Sequence, residues 1–600
     1  MKPRGLGPLL VVAVGASMAA WTWRQWPDVL IDFGRELYIP WQLAQGKVLY
    51  RDVASFHGPL SSYVNALWFR LFGAHLLTLA LANLALLGVL TALLYALLLR
   101  LGSRLGATLS CVTFLTLFAF AQYVTACNYN FICPYAHEVT HGILLSVLGL
   151  YLLVRHQETG RAVYLASAGL ALGLLFLTKV EIFAAGALAS AVALVPWLRA
   201  RTGRERARAL RVYLGAALAP PLVAGALFWI ALPLDRVLRE PLGYWTAAFR
   251  SDLRSLAFFR DGMGTDDLRG NLQALVRSTA SWALVLGPSL LVALLVRKAG
   301  TLARVLSAAA FLASAAVLVP RVGSAGWADA ARPFPLFVAL IGGAALAGLA
   351  RAGEKDDRGA ASPQVLRAAL AAFAMVLLLK MIFRTRVFHY GFALAMPAAL
   401  LVTMALVDWI PRWIVARGGS GTLFRAAVLG AWAVAIPAHL SSMRAAFDAK
   451  TVRVGSGADA FWADERGHAF NEALEFLHAV PAGRTLAAFP EGAMLNYLAR
   501  IPSSIPYTFF VPFDVLYFDE RRILSSLREH PPDYVALLHR DTSAYGFAIF
   551  GHDYAREIWS WVVDNYEPER LFGAPPFRTA RFGILLLRRK GLDPAGRAGR

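Results

Sequence analysis

The stretch Leu76–Leu99 reads LLTLALANLALLGVLTALLYALLL and contains no charged residue. A helix of this length crosses the hydrocarbon core of a bilayer, which takes about 20 apolar residues. Similar runs recur along the 600-residue chain, which is 58% hydrophobic and 16% charged, whereas soluble proteins have about 25% charged residues. The composition therefore predicts an α-helical multi-pass membrane protein.

Hydropathy predicts about thirteen transmembrane helices within residues 1–440. They lie near residues 6–24, 76–99, 105–122, 139–154, 162–178, 182–198, 212–232, 279–296, 303–319, 334–350, 366–383, 390–408 and 424–440. The first run contains a passable signal-peptide cleavage site at Ser17-Met18-Ala19, but it stays apolar beyond that site. We therefore expect an uncleaved first helix.

The basic residues orient these helices. With the N-terminus in the cytoplasm, the inward loops carry clusters such as the six arginines between residues 199 and 211, whereas the outward loop 123–138 has no Lys or Arg. This asymmetry follows the positive-inside rule. It explains the net charge of +21 without a nucleic-acid partner, and it puts residues 25–75, 233–278 and 441–600 outside.

The tail, residues 441–600, differs in character from the rest and predicts a small outer α/β domain. Turn signals such as Pro481-Ala482-Gly483 separate its segments. Strand-like and amphipathic helical runs alternate between the turns. The strand-like runs are Thr485–Phe489, Tyr534–Leu538 and Phe582–Leu587, and the helical runs are Ala469–Ala479 and Arg521–Glu529.

The three cysteines predict little metal chemistry. Cys111 lies in an apolar run, and no pair has the spacing of zinc ligands, so we expect no structural metal site. Cys127 and Cys133 flank one short outward loop. In an oxidising compartment they could form a disulfide, and the sequence leaves both states open.

Two carboxylates follow the first predicted span, where the chain leaves the membrane. Asp32 and Glu36 are four residues apart, so a helix there would put both on one face. As a pair they suit a general base with an orienting or metal-binding partner. Acids are equally common at the start of a solvated helix, where they face the positive end of its dipole. Both interpretations stay open from the residues alone.

Further polar residues stand in the first two outer loops. Arg51 and His57 lie in a stretch punctuated by glycines and a proline, which indicates two short helices at the membrane interface. The second loop holds His137, Glu138 and His141. The spacing of the histidines is that of a metal pair, but no third ligand follows. A polar cavity lining is the simpler interpretation, with Glu138 as a second candidate acid.

Basic side chains recur at helix ends that this orientation puts outside, against the positive-inside bias. They are Lys179 after the fifth span, Arg321 after the ninth, and Arg384 and Arg386 after the eleventh, with Tyr390 close by. Lys179 could merely pair with Glu181 or extend towards the interface. Converging on one pocket, the cations would instead suit a phosphate group.

In this order, these features resemble the C-type glycosyltransferase superfamily, in particular bacterial relatives of the protein O-mannosyltransferases and lipid A aminoarabinose transferases. The resemblance covers about residues 1–410. It rests on Asp32 after the first span, the stretch Gly46–Asp52, Gly58-Pro59 before the second span, and Leu177–Lys179 closing the fifth. It implies an enzyme of the bacterial inner membrane whose site faces outwards.

The resemblance also implies a donor sugar on a polyprenyl phosphate, a lipid, glycan or protein acceptor, and a catalytic aspartate, which Asp32 matches. Many relatives have a second acid directly afterwards, where this chain has Phe33. Glu36 or Glu138 is expected to take that role, and a divalent metal stays open. We therefore expect an inverting hexosyl- or pentosyltransferase. Its phosphate ligands would be Lys179, Arg384, Arg386 and Arg321, and its other lining residues Arg51, His57, His137 and Tyr390.

Three other classes of protein share some of these features. A transporter or flippase for lipid-linked sugars would favour repeated halves and interrupted helices, and the sequence has neither. A polymerase or ligase would use the same type of donor with larger glycans. A purely structural membrane protein would not need cations at several outward helix ends.

Overall fold

A computed structural model of the chain describes residues 5–123, 129–247, 249–296, 301–321, 325–351 and 362–593. Among them, ten helical segments are long and apolar enough to cross a membrane. They are Leu76–Leu101, His137–Thr159, Val180–Arg199, Gly203–Ala231, Ala257–Leu295, Thr301–Leu318, Phe334–Arg351, Pro363–Met381, Phe392–Ala416 and Gly421–Asp448. The prediction of a multi-pass helical membrane protein is confirmed.

The remaining three predicted spans correspond to shorter apolar helices, Leu6–Trp21, Arg104–Ala119 and Ala162–Phe176. The number thirteen therefore stays a prediction. Large apolar side chains on the helix surfaces are freely exposed, for example Ile230 at 84% and Leu295 at 83%. Such a surface would be a liability in water, whereas lipid matches it.

Shorter helices connect the long ones at the end of the bundle that carries the C-terminal domain. Near the N-terminus these are Phe33–Ala44 and Leu60–Phe72. The long segment Ala257–Leu295 consists of a short helix, Ala257–Met263, and the long helix Leu268–Leu295. Three more short helices precede it, namely Leu234–Arg239, Gly243–Ala247 and Ser251–Arg254. Another short helix is Ala325–Ala328.

The C-terminal part is the predicted mixture of helices and strands. Strands β1 (Val452–Val454) and β2 (Phe461–Ala463) form an antiparallel pair. A four-stranded sheet has the order β3-β4-β6-β5. Its strands are β3 (Leu486–Phe489), β4 (Tyr534–Leu538), β5 (Tyr566–Gly573) and β6 (Gly583–Arg589). The helices are Arg466–His478, Ala493–Ala499, Pro512–Phe518, Glu520–Glu529 and Arg556–Asn565.

Strands β3 and β4 are parallel neighbours and are fully buried, as their apolar sequences LAAF and YVALL require. The other pairings in this sheet are antiparallel. Because β3 and β4 run the same way, the residues that follow them emerge at one edge of the sheet. That edge faces the first loop.

The C-terminal domain holds the loop 22–32 through polar contacts. The Lys450 ammonium donates to the carbonyl groups of Gln25 and Pro27. Asp28 forms an ion pair with Arg466 at 2.6 Å. A further clamp lies beyond this loop, where the Tyr497 hydroxyl donates to the carbonyl of Ala74 at 2.9 Å. The loop 22–32 is thus fixed between the helix bundle and the C-terminal domain.

Candidate active site

Asp32 lies immediately before the helix Phe33–Ala44, in a backbone conformation with φ of 61°. Such positive φ values are rare for residues with a side chain. Its N–H group donates to Glu491 Oε1 at 2.6 Å, which links it to the C-terminal domain. Burial raises the pKa of the Asp32 carboxyl, although the positive charges of Arg35 and Arg540 oppose the rise. A raised pKa makes this half-buried carboxylate a better proton acceptor.

Glu36 has a different environment from Asp32. Its Oε2 accepts the backbone N–H of His137 at 3.0 Å and the ring N–H of Nδ1 at 2.7 Å. The other ring nitrogen of His137 accepts a hydrogen bond from Asn83. Burial raises the pKa of Glu36, but the bonds to His137 and the charge of Arg35 outweigh it and lower the pKa. Glu36 therefore stays ionised and caps the helix His137–Thr159.

This corrects the expectation that Asp32 and Glu36 share a helix face. Asp32 is outside the helix, because its backbone has turned to meet Glu491. The alternative explanation, an acid at the start of a helix, applies to Glu36. Glu36 belongs to the helix Phe33–Ala44, but it caps the helix His137–Thr159. The two acids therefore have separate environments.

Glu138 lies with Glu36 around a small buried cavity. Arg35, His57 and Asp514 also line this cavity, whose volume of about 20 Å³ is enough for one water molecule. Glu138 is 3% exposed, and its Oε2 has no hydrogen-bond partner among the described residues. Three of the expected site residues, Glu36, Glu138 and His57, are thus brought together here.

Two lysines converge on one carboxylate next to this region. Lys179 Nζ lies 3.5 Å from Glu181 Oε1, and Lys380 Nζ lies 3.2 Å from the same oxygen. Burial lowers the pKa of Lys179, and the charge of Glu181 opposes this. Two ammonium groups thus converge on one carboxylate oxygen.

Arg384 and Arg386 line a neighbouring cavity of about 460 Å³, together with Tyr390 and His389. Each arginine already contacts a carboxylate. Arg384 pairs with Asp261, and Arg386 Nε lies 3.0 Å from Asp329 Oδ1. Burial lowers the pKa of His389 to about 4, so its imidazole is neutral at physiological pH.

Tyr390 connects this cavity to the acids. Its ring lies 5.7 Å from Lys380 Nζ, and its carbonyl accepts a hydrogen bond from the Tyr135 hydroxyl at 3.3 Å. The carbonyl of Tyr135 in turn accepts from Arg35 at 3.1 Å. A continuous set of contacts therefore runs from the arginine cavity to the residues beside Asp32.

An apolar cavity of about 410 Å³ lies deeper, among the long helices. Its wall includes Trp282, Phe334 and Trp432, and Asp329 lines it as well. Because Asp329 is also the partner of Arg386, the apolar cavity and the arginine cavity approach each other at this ion pair.

The remaining sequence candidates lie elsewhere or cannot be described. Arg51 is exposed and pairs with Asp52 at 2.9 Å, and it lines none of the cavities described above. His141 is buried, with Nδ1 3.0 Å from the Ser61 hydroxyl. The side chain of Arg321 and the whole of Cys127 lie outside the described residues, so the disulfide with Cys133 stays a prediction.

Four residues of the site were missed by the sequence interpretation. They are Arg35, Lys380, Glu491 and Arg540, and Asp514 in the wall of the small cavity is a fifth. Burial raises the pKa of Glu491 to about 7 and that of Asp514 to about 7, against the charges of nearby arginines. A signal was present: Glu491 and Arg540 each stand two residues after a predicted buried strand, where polar residues of a parallel sheet gather.

The carboxylates of the site make hydrogen bonds and ion pairs with other protein groups. Among the described residues, no group of three or more His, Cys, Asp or Glu side chains is arranged to hold a metal ion. The oxygens of Glu36 are engaged by His137 and Arg35, and those of Glu491 by the Asp32 N–H and Arg540. The oxygens of these two glutamates are therefore already occupied by protein groups.

No protein-family model and no curated protein sequence matches the chain. Among solved structures, the chain is similar in fold to an archaeal oligosaccharyltransferase and to ArnT. The first is the archaeal oligosaccharyltransferase AglB from Archaeoglobus fulgidus in complex with an inhibitory peptide and a dolichol-phosphate. It is 12% identical with a TM-score of 0.49, over 96% of this chain and 74% of that chain.

Two further structures are similar to the chain. ArnT from Cupriavidus metallidurans bound to undecaprenyl phosphate is 13% identical with a TM-score of 0.44, over 97% of this chain and 98% of that chain. The A. fulgidus oligosaccharyltransferase in complex with Zn and sulfate is 12% identical with a TM-score of 0.46, over 88% of this chain and 67% of that chain.

Proposed function

We propose that this protein is a membrane glycosyltransferase that moves a hexose or pentose from a polyprenyl-phosphate donor to an acceptor hydroxyl. The observation that carries the proposal is the set of contacts through Arg35, Tyr135 and Tyr390 that links the surroundings of Asp32 to Lys380. Asp32 supplies the proton-accepting carboxylate, and Lys179 and Lys380 supply ammonium groups for a phosphate. Such a pair suits transfer from a phosphate to a hydroxyl.

The reaction follows from the chemistry of the two groups. The acceptor oxygen attacks the anomeric carbon of the donor while its proton passes to the Asp32 carboxylate. The bond between that carbon and the phosphate oxygen breaks, and the electron pair leaves with the phosphate. Phosphate is a good leaving group and needs no general acid, unlike the leaving oxygen in glycosidases. A single displacement inverts the configuration of the sugar.

The cations hold the departing phosphate. Lys179 and Lys380 both reach Glu181, and ammonium groups that converge in this way suit a phosphate as a further ligand. The cavity with Arg384 and Arg386 adjoins them through Tyr390. Both arginines are already paired with aspartates, so we assign them to orienting the donor and assign the two lysines to direct charge stabilisation.

The apolar cavity suits the lipid part of the donor. It is lined mainly by tryptophan, phenylalanine and aliphatic side chains of the long helices, and Asp329 joins it to the arginine cavity. A prenyl chain there would place its phosphate towards Arg386. An apolar cavity next to the arginine cavity therefore suits a lipid-linked donor better than a soluble nucleotide donor.

The second acid remains to be assigned between two candidates. Glu36 is held by His137 and Arg35, so we give it the role of fixing the helix His137–Thr159. Glu138 faces the small cavity with an oxygen that has no partner among the described residues, and we propose that it orients a water molecule or an acceptor group. No step of the reaction is assigned to a metal.

The orientation is part of the same proposal. The basic loops put the N-terminus in the cytoplasm, and the site with the C-terminal domain then faces outwards, in a bacterium the periplasmic or external side of the inner membrane. Cysteine labelling tests this directly. A membrane-impermeant maleimide should label a cysteine introduced at Ser525 in intact spheroplasts and should not label one introduced at Thr202.

The function is tested with purified protein in lipid nanodiscs. The probes are synthetic undecaprenyl-phosphoryl hexoses and pentoses, offered with a cell-envelope extract as the source of acceptor. Release of undecaprenyl phosphate, measured by mass spectrometry, is the readout. We expect release with at least one donor and a loss of at least about 1,000-fold in Asp32→Asn, since the amide accepts no proton. Full release by this variant would contradict the proposal.

A further inference from the structure

The C-terminal domain contributes directly to the environment of Asp32. Glu491 is 2% exposed, and its Oε1 accepts the Asp32 N–H at 2.6 Å. Its Oε2 accepts a hydrogen bond from Arg540 Nε at 3.1 Å. The three residues form a chain of contacts from the sheet domain to the proposed base.

The topology of the sheet explains why these two residues meet. Strands β3 and β4 are parallel, and Phe489 pairs with Leu537 in the register of the sheet. Glu491 follows β3 and Arg540 follows β4, so both emerge at the same edge. Neither side chain takes part in forming the sheet, because the strands pair through their backbones.

The close approach of the two parts of the chain fixes the distance. A Cβ atom on Gly34 would lie 2.2 Å from the backbone nitrogen of Met494. The first turn of the helix Phe33–Ala44 therefore touches the start of the segment Ala493–Ala499 with backbone against backbone. Glu491 has almost no freedom to move relative to Asp32 in this contact.

The conformation of Asp32 needs such a contact. With φ of 61° and ψ of −54°, its backbone is in a region that residues with a side chain rarely adopt. Strained backbone of this kind persists only where the surroundings fix it. The half-buried hydrogen bond from the Asp32 N–H to the Glu491 carboxylate opposes relaxation, because it would be lost if the backbone relaxed.

We propose that Glu491, oriented by Arg540, is a positioning residue for Asp32, so that the C-terminal domain completes the active site. This rests on the proposed role of Asp32 as the base. Glu491 touches neither sugar nor phosphate in this scheme. It acts by holding the backbone that aims the Asp32 carboxylate, and Arg540 acts by holding Glu491.

Three variants of Glu491 test this role in the undecaprenyl-phosphate release assay. Glu491→Leu removes the acceptor for the Asp32 N–H, and kcat is expected to fall about 10- to 100-fold with an unchanged donor KM. Glu491→Gln keeps one acceptor oxygen for the Asp32 N–H but turns an NH2 group towards the Arg540 N–H, so its kcat should lie between those of Glu491→Leu and wild type. Glu491→Asp has a shorter side chain and should resemble the Leu variant.

A double-mutant cycle separates positioning from simple loss of structure. If Glu491 acts through Asp32, Glu491→Leu should cost nothing further in the residual rate of Asp32→Asn. A merely structural role would lower both backgrounds by the same factor. The matched control is Glu569→Gln, which alters the ion pair of Glu569 with Arg588 at 2.7 Å on the far strands of the same sheet and should leave kcat unchanged.

The outcomes distinguish this inference from the proposed function. If Asp32→Asn is inactive while folded Glu491→Leu keeps the wild-type kcat, the inference is wrong and the function stands. If Asp32→Asn itself is fully active, the proposed function fails first. Equal costs of Glu491→Leu in both backgrounds would also overturn the positioning role.

Discussion

Replacing Gly34 by alanine should disturb the site without touching any charged group. The added Cβ would meet the Met494 nitrogen at 2.2 Å, the Met494 Cα at 2.7 Å and the Ala493 carbonyl carbon at 2.9 Å. Ordinary contact begins at 3.4 Å, so the two segments must separate by about 1.2 Å. All three opposing atoms belong to the backbone and cannot rotate away.

The cost of this separation has two parts. Overpacking of a well-packed contact costs about 1–3 kcal/mol of folding free energy. A displacement of about 1 Å at catalytic groups costs about 100-fold in rate. We therefore expect Gly34→Ala to lower the thermal unfolding midpoint of the purified protein and to lower kcat for undecaprenyl-phosphate release about 100-fold.

The matched control for this variant is Gly88→Ala. Gly88 lies in the helix Leu76–Leu101, and a Cβ there would have no atom within 4 Å. Alanine favours a helix interior by about 1 kcal/mol over glycine, so this variant should be neutral or slightly more stable, with an unchanged kcat. If Gly34→Ala keeps both the unfolding midpoint and the kcat of wild type, the close contact between helix and domain does not position the site.

Three further predictions concern charge. Lys380→Met should raise the Kd for undecaprenyl phosphate about tenfold or more, measured by tryptophan fluorescence, because it removes one of two cations from the proposed phosphate site; unchanged binding would exclude Lys380 from that site. Burial raises the pKa of Asp28, but the ion pair with Arg466 and two backbone N–H groups lower it overall from 3.8. The stabilisation from the Asp28–Arg466 ion pair is therefore fully present above pH 3.8 and is lost as the pH falls through the lowered pKa of Asp28. Arg466→Gln should therefore lose about 2 kcal/mol at pH 7 and flatten the acid dependence of unfolding, whereas a parallel curve would refute the linkage. Burial raises the pKa of Asp32 above 3.8. As the pH decreases through this raised pKa, kcat/KM should therefore fall. A kcat/KM that stays unchanged down to pH 4 would contradict the role of Asp32 as the base.

The helical membrane architecture and the strands of the C-terminal domain could be predicted from the sequence. Membrane helices need long apolar runs, and buried strands need short ones. The charge-free run Leu76–Leu99 became the long helix Leu76–Leu101, and the strand-like run Tyr534–Leu538 became β4. Both patterns are local, since each residue is judged by its neighbours in the chain. The same holds for Lys179, whose place at a helix end followed from the spacing of two spans.

The geometry of the site was not local and could not be derived in the same way. The expected helix face for Asp32 and Glu36 was wrong, because Asp32 bonds to Glu491, 459 positions along the chain. Lys380 was overlooked inside an apolar segment, where one charge does not change the hydropathy. The sequence signal for this part of the site was a charged residue two positions after a buried strand, as at Glu491 and Arg540.

The most direct measurement is the stereochemistry and rate of transfer by wild type and Asp32→Asn under the same conditions. The donor is the undecaprenyl-phosphoryl sugar that supports release, and NMR gives the anomeric configuration of the product. We predict an inverted configuration for wild type and a rate at least about 1,000-fold lower for Asp32→Asn. A product with retained configuration, or an Asp32→Asn variant that transfers at the wild-type rate, would contradict Asp32 as the base of a single displacement.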